Sequence, residues 1–167
     1  MVKCLIIDDE KNARDNLNAL IEKYCPQLEV VGFAVSGLDG LHRIEELRPD
    51  AIFLDVHMAD MDGFSVLGKL DKFKPMVVFV TAFDQYAVDA FDLHAVDYIL
   101  KPLDKERVTR SVERAIDRIK SDQEHSFKTP LIGAIESISE RVTSHVAEAP
   151  EEDVPSGIKR KLVVRDS

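Results

Sequence analysis

Three aspartates, a threonine and a lysine occupy matching places in this chain, each directly after a short apolar run. Asp8 and Asp9 follow Val2–Ile7, and Asp55 follows Ala51–Leu54. Thr81 follows Met76–Val80, and Lys101-Pro102 follows Val96–Leu100. If the runs are strands of an open parallel sheet, their C-terminal ends share one edge, outside which ligands bind. Dispersed residues then meet in one pocket of three carboxylates, a hydroxyl and an ammonium. Carboxylates so placed repel one another unless a cation sits between them. Oxygen donors suit Mg2+, which usually keeps several waters, and the His57 backbone carbonyl is the simplest extra ligand. Asp55 stands alone after a central strand, where a carboxylate can attack phosphorus to give an acyl phosphate. Phosphoryl transfer chiefly requires positioning and neutralisation of the non-bridging oxygens. Mg2+, Lys101, and Thr81 with a nearby backbone N–H would supply both. Pro102 belongs to the same reading, because an X-Pro bond can be cis and so aim the preceding side chain. The plainer alternative is that the Asp pair and Thr81 only cap the helices that follow; five such residues at matching strand ends argue against it.

The elements that must position these residues are legible as alternating apolar runs and helical periodicity, the pattern of βα units. Strands are expected near residues 2–7, 28–34, 50–54, 76–80 and 96–100. All but the second are nearly continuous apolar runs, as strands covered on both faces require. Helices are expected at 11–24, after Ser36 as N-cap, at 63–72, after Asp84 as N-cap, and from Asp104 to about 121. Five units in about 120 residues suit one doubly wound α/β domain.

Composition limits the alternatives. The chain has 167 residues, 45% hydrophobic and 32% charged, with a net charge of −9. That balance disfavours whole-chain nucleic-acid binding through a basic field. Two cysteines make no disulfide framework, and both are expected as reduced thiols. Neither a signal peptide nor an apolar stretch of roughly 18 residues is visible. A soluble cytoplasmic protein with no membrane association is expected. His42, His94, His125 and His145 share no spacing that makes a metal site.

The pattern changes after residue 121. Residues 122–157 are expected as a linker with a helix at 130–146, opened by Thr129-Pro130 and carrying the stripe Leu131, Ile135, Ile138, Val142 and Val146. Residues 158–167 alternate charged and apolar residues like the opening strand of a further domain, and are too few to bury a core.

Residues 2 to about 121 resemble the receiver domain of two-component response regulators. The resemblance rests on Ile6-Ile7-Asp8-Asp9-Glu10, Phe53-Leu54-Asp55-Val56-His57-Met58, Met61-Asp62-Gly63-Phe64, Val80-Thr81-Ala82 and Leu100-Lys101-Pro102. It implies a flavodoxin-like (βα)5 fold with strand order 2-1-3-4-5, and phosphorylation of Asp55 by a histidine kinase. It assigns Asp8, Asp9, Asp55 and the His57 carbonyl to Mg2+. Thr81, the Ala82 backbone and Lys101 would hold phosphoryl oxygens, and Tyr98 is the aromatic switch whose ring turns inward as Thr81 moves. Receivers commonly carry proline where this chain has Ala59, which loosens the loop without removing a ligand.

The stretches Thr81–Ala87 and Ala90-Phe91 through Pro102 resemble the LytTR class, whose output is a mostly β DNA-binding domain. Residues 158–167 are similar to its start, so transcription control is implied, with DNA bound only through a domain essentially missing from this chain. A homodimer is expected on the face made by the fourth helix, fifth strand and fifth helix, where Asp89, Asp92, Asp97, Arg107, Arg110, Arg114 and Arg118 carry mixed charges. The chain is expected to be a phosphoryl acceptor with self-catalysed transfer and dephosphorylation, not an enzyme. Two alternatives are a receiver-like interaction module that never takes phosphate, and an aspartyl phosphohydrolase. The latter wants a second Asp two residues after the nucleophile, where this chain has His57.

Overall fold

A strand buried on both faces must be apolar at every position, and this chain's strands sort their alternate residues into two cores. In a computed structural model, which describes residues 1–71 and 73–124, the elements run β1 Val2–Ile7, α1 Lys11–Tyr24, β2 Leu28–Ala34, α2 Gly37–Leu47, β3 Ala51–Leu54, α3 Gly63–Gly68, β4 Met76–Thr81, α4 Ala87–Asp92, β5 Asp97–Leu100 and α5 Lys105–Glu124. The strands form one parallel sheet in the order β2-β1-β3-β4-β5. Cys4, Ile6, Phe53, Val78 and Val80 face α1 and α5, packing on Leu17, Ile21, Val108 and Val112. Leu5, Ile7, Ile52, Leu54 and Phe79 face the other way, onto Ile44 of α2, Val66 of α3 and Ala90 of α4. Both layers are thus built from β1, β3 and β4, and the sheet is sealed on either side. Cys4 and Cys25 are free and buried.

Three helices begin on side-chain caps that satisfy otherwise orphaned N–H groups. Ser36 Oγ accepts from Asp39 N at 3.0 Å, Asp62 Oδ1 from Ser65 N at 2.8 Å and Asp104 Oδ1 from Arg107 N at 2.9 Å. The fourth helix departs from expectation. It starts at Ala87 with Tyr86 in the cap position and no side-chain cap bond, so Asp84 is not its N-cap. Tyr86 instead contributes ring contacts to His57 and Phe64, at 5.4 and 6.0 Å between centroids. The third helix ends at Gly68 rather than near residue 72, since glycine is a poor helix former and packs nothing there. The fifth runs on to Glu124, so residues 122–124 are helix where a linker is expected.

Asp97 is the clearest correction. It is not a surface charge of a dimer face but a 2% exposed residue at the start of β5. Arg107 holds it with both terminal nitrogens, at 2.6 and 2.8 Å, while Arg114 reaches it at 3.2 Å and Ser111 donates its hydroxyl. Burial alone would raise the Asp97 carboxyl, but the hydrogen bonds from Arg107 and Ser111 outweigh it and hold the group below its usual range.

The expected helix at 130–146 and the segment 158–167 lie outside the described residues. Among the described residues no helix is long and apolar enough to cross a membrane.

Candidate functional site

The register of the sheet sets the pocket. Ile7 pairs with Leu54, Leu54 with Phe79, and Thr81 with Leu100. The residues that follow β1, β3 and β5, together with the last residue of β4, therefore emerge side by side. Asp8, Asp9 and Asp55 each bring a carboxylate oxygen within 4.8 Å of the others. Among the described residues they form the single group of three metal-capable side chains.

Lys101 reaches into this cluster from β5. Its ammonium stands 2.8 Å from Asp8 Oδ2 and 3.3 Å from Asp55 Oδ2, with Glu10 farther out at 3.8 Å. Burial by itself would lower the Lys101 pKa, but the bond to Asp8 and the charge of Asp55 more than reverse that. Asp55 is 6% exposed. Burial pushes its carboxyl above the usual range and the Asp8 charge adds to this, while Lys101 and a hydrogen bond with Thr81 pull it back. The result is an acid crowded enough to want a second cation, with one cation already beside it.

Backbone groups complete the frame. Asp8 Oδ1 accepts from Glu10 N at 2.9 Å, Asp9 Oδ2 from Ala59 N at 3.1 Å, and Asp55 Oδ1 from His57 N at 3.4 Å. His57 thus lies beside Asp55, its ring against Phe83 at 4.2 Å between centroids. Gly63, at the start of α3, is set so close that an added Cβ would lie 2.5 Å from the Asp55 carbonyl oxygen. Only a residue without a side chain fits there.

Thr81 is fully buried, and its Oγ1 accepts from Phe83 N at 3.4 Å. Ala82 follows on the exposed loop. Tyr98 is 8% exposed, with its ring turned into the core beside Phe79 and its hydroxyl donating to the Phe83 carbonyl. Burial raises the Tyr98 phenol pKa. The Lys101–Pro102 peptide bond is cis. The structure therefore brings Asp8, Asp9, Asp55, Thr81 and Lys101 to one edge, with His57, Ala82 and Tyr98 around them.

Sequence reasoning passed over several groups that touch this pocket. Arg14 donates to the Asp8 carbonyl at 2.8 Å from the first turns of α1; its place six residues after Asp8 was the available signal. Ala59, conspicuous in the sequence only as a departure from proline, donates its backbone N–H to Asp9 Oδ2 at 3.1 Å. Asp60 accepts from Gly37 N and Leu38 N, both at 2.9 Å, tying the loop after β3 to α2.

A flavodoxin-like sheet with an acidic cluster and a lysine at its C-terminal edge defines a receiver-type α/β domain. The chain belongs to the response regulator receiver domain family, whose model matches residues 4–113. It is 41% identical over 136 residues to an uncharacterized response regulatory protein of Vibrio cholerae, covering 81% of this chain and 57% of the relative. It is 42% identical over 115 residues to the transcriptional regulatory protein BtsR of Escherichia coli K12, covering 68% of this chain and 48% of BtsR. The chain thus spans about half the length of the curated relatives it matches. The response regulatory domain of mrkE from Klebsiella pneumoniae superposes with a TM-score of 0.65 at 35% identity, over 72% of this chain and 99% of that one.

Proposed function

We propose that Asp55 accepts a phosphoryl group from a sensor histidine kinase, with Mg2+ held by Asp8, Asp9, Asp55 and the His57 carbonyl. The observation that carries this reading is the placement of the Lys101 ammonium between Asp8 and Asp55, at 2.8 and 3.3 Å. A buried carboxylate beside a fixed cation and two further carboxylates is built to receive an anion together with a metal. The donor set fits Mg2+, being hard oxygens gathered from the ends of two adjacent strands. When bound, Mg2+ would neutralise charge on the non-bridging oxygens.

The chain's own residues do the rest. An Asp55 oxygen attacks phosphorus, its new bond to phosphorus forming as the bond to the kinase histidine nitrogen breaks. Lys101 pairs with a phosphoryl oxygen, and Thr81 with the Ala82 N–H meets another. Tyr98, already bonded to the loop after Thr81, reports the displacement of that loop at the β5 edge. The chain is an acceptor with self-catalysed transfer and dephosphorylation rather than an enzyme acting on a separate substrate. The phosphorylated form switches a C-terminal LytTR-type DNA-binding domain to regulate transcription, a reading supported by the resemblance in Thr81–Pro102 and by the likeness to BtsR, a transcriptional regulatory protein. DNA contact comes only through that output domain. Homodimerisation would use the face of α4, β5 and α5, with Asp97 withdrawn from the pairing charges.

Incubation of the chain with acetyl phosphate and Mg2+, followed by intact mass, tests the central step. One phosphoryl adduct is expected on the wild type and none on Asp55→Asn or without Mg2+. An unmodified wild type overturns the reading in favour of a module that does not take phosphate.

A further inference from the structure

Successive residues of a strand point to opposite faces. Asp8 and Asp9 are successive, yet both gather with Asp55, each of the three offering a carboxylate oxygen within 4.8 Å of the others. The chain must therefore leave strand geometry between them, and the peptide unit that links the two acids decides where both point. Its oxygen is the Asp8 carbonyl, which Arg14 of α1 holds through a guanidinium nitrogen at 2.8 Å. The other polar atoms of Asp8 are engaged as well. Its N–H donates to the Ala34 carbonyl at 3.1 Å, Oδ1 accepts from Glu10 N at 2.9 Å and Oδ2 from Lys101 at 2.8 Å. Arg14 also closes the turn through its backbone N–H, which donates to the Glu10 carbonyl at 3.1 Å. On helix grounds alone an arginine is badly placed here. α1 begins at Lys11 with no side-chain cap bond and no acid in its first turn, so Arg14 adds a cation near the positive end of the helix dipole. Half-buried, it is held by the acid turn and not by an acid of its own helix start.

We propose that Arg14 is a positioning residue, which by fixing the Asp8–Asp9 peptide unit turns two neighbouring carboxylates towards one divalent cation. This role rests on the reading of the acidic cluster as a Mg2+ site. Arg14 acts through the backbone, and the carboxylates keep lone pairs with which to meet a metal. Groups that orient a ligand without touching the metal typically change affinity by about 10–100-fold when removed. Charge alone predicts the opposite sign, because deleting a cation beside three carboxylates should help another cation to bind. The direction of the change therefore separates positioning from electrostatics.

The test is calorimetric titration of the full chain with MgCl2, with the Asp8 carbonyl carbon followed by NMR without metal. The wild type should bind Mg2+. Arg14→Met should weaken Kd about tenfold and move the Asp8 carbonyl resonance upfield as its hydrogen bond is lost. Arg14→Lys keeps a donor and the charge, and should recover most of the affinity. If the wild type binds but Arg14→Met binds equally or more tightly, the positioning role is overturned and the metal site stands. If the wild type binds no Mg2+, the metal reading falls and the positioning role with it. Should Arg14→Met fail to fold, the guanidinium nitrogen signals of the wild type decide. Resolved Nη resonances are expected of a group fixed on a carbonyl, and a single averaged signal from free rotation overturns the proposal.

Discussion

Arg107 grips Asp97 with both terminal nitrogens, at 2.6 and 2.8 Å, and one of those nitrogens also donates to the Tyr98 carbonyl at 3.0 Å. α5 is thereby bolted to the first turn-in of β5, the strand that carries Tyr98 and delivers Lys101. Removing one partner of a buried pair strands the other charge. Arg107→Met should cost about 3 kcal/mol in denaturant unfolding, with Arg114 and Ser111 softening the loss.

The same pair sets an acid limit. The folded state holds the Asp97 carboxyl below its usual range, so its contribution is present above the ordinary carboxylate pKa of about 3.9. It is lost as pH falls through the depressed folded value. Asp97→Asn should be less stable at neutral pH and should lack the part of the acid-side slope below about pH 4 that Asp97 supplies. Urea melts at successive pH values check this, and an unchanged slope would contradict it.

Lys101→Met leaves Asp8 and Asp55, 5% and 6% exposed, facing each other without their ammonium. In chelator the variant should lose about 2 kcal/mol, a loss limited because one acid can take up a proton instead. Added Mg2+ should then raise its melting temperature by more than it raises that of the wild type, since the cation replaces a missing charge. Equal gains in the two proteins would argue against shared electrostatics at this edge.

Two glycines of α3 should respond with opposite signs. Gly63→Ala drives a methyl against the Asp55 carbonyl oxygen, with Leu54 and Phe79 each 3.2 Å away on the core side. Overpacking of this kind costs about 1–3 kcal/mol. A Cβ at Gly68 meets nothing within 4 Å, so Gly68→Ala should stabilise by about 0.5–1 kcal/mol through helix propensity. Paired thermal melts read both directly.

Tyr98→Phe keeps the ring in the core and removes its hydrogen bond to the Phe83 carbonyl. The expected loss is about 1 kcal/mol. Amide exchange should quicken in residues 82–86 while protection within β5 is kept. Loosening of β5 itself would instead mean that the ring, not the hydroxyl, carries the connection.

The sequence was most readable where burial is two-sided. Ala51-Ile52-Phe53-Leu54 has no polar position to be mistaken for a surface, so the acid that follows it is conspicuous. Lys101 was legible as a charge directly after the apolar run Tyr98-Ile99-Leu100, although Leu100 itself is exposed. Asp97 was not, because a carboxylate at a strand start looks identical whether it meets water or an arginine ten residues away. Asp84 was a plausible cap by type, but the chain entered α4 two residues later on aromatic contacts that no periodicity encodes. Backbone donors left little mark: Ala59 stood out only as a departure from proline, and the path of the loop is what brings its N–H to Asp9.

The Lys101–Asp8 contact joins residues ninety-three positions apart, the end of β5 to the end of β1. Closing so long a loop has an entropic cost that is recovered only once the intervening strands are in place. The pocket consequently has no existence in a half-folded chain, and a cation bound there recognises the completed sheet alone. Mg2+ should then act as a brake on unfolding rather than a spur to folding. A nascent domain still missing its fifth strand would have no pocket for a cation or an anion to find.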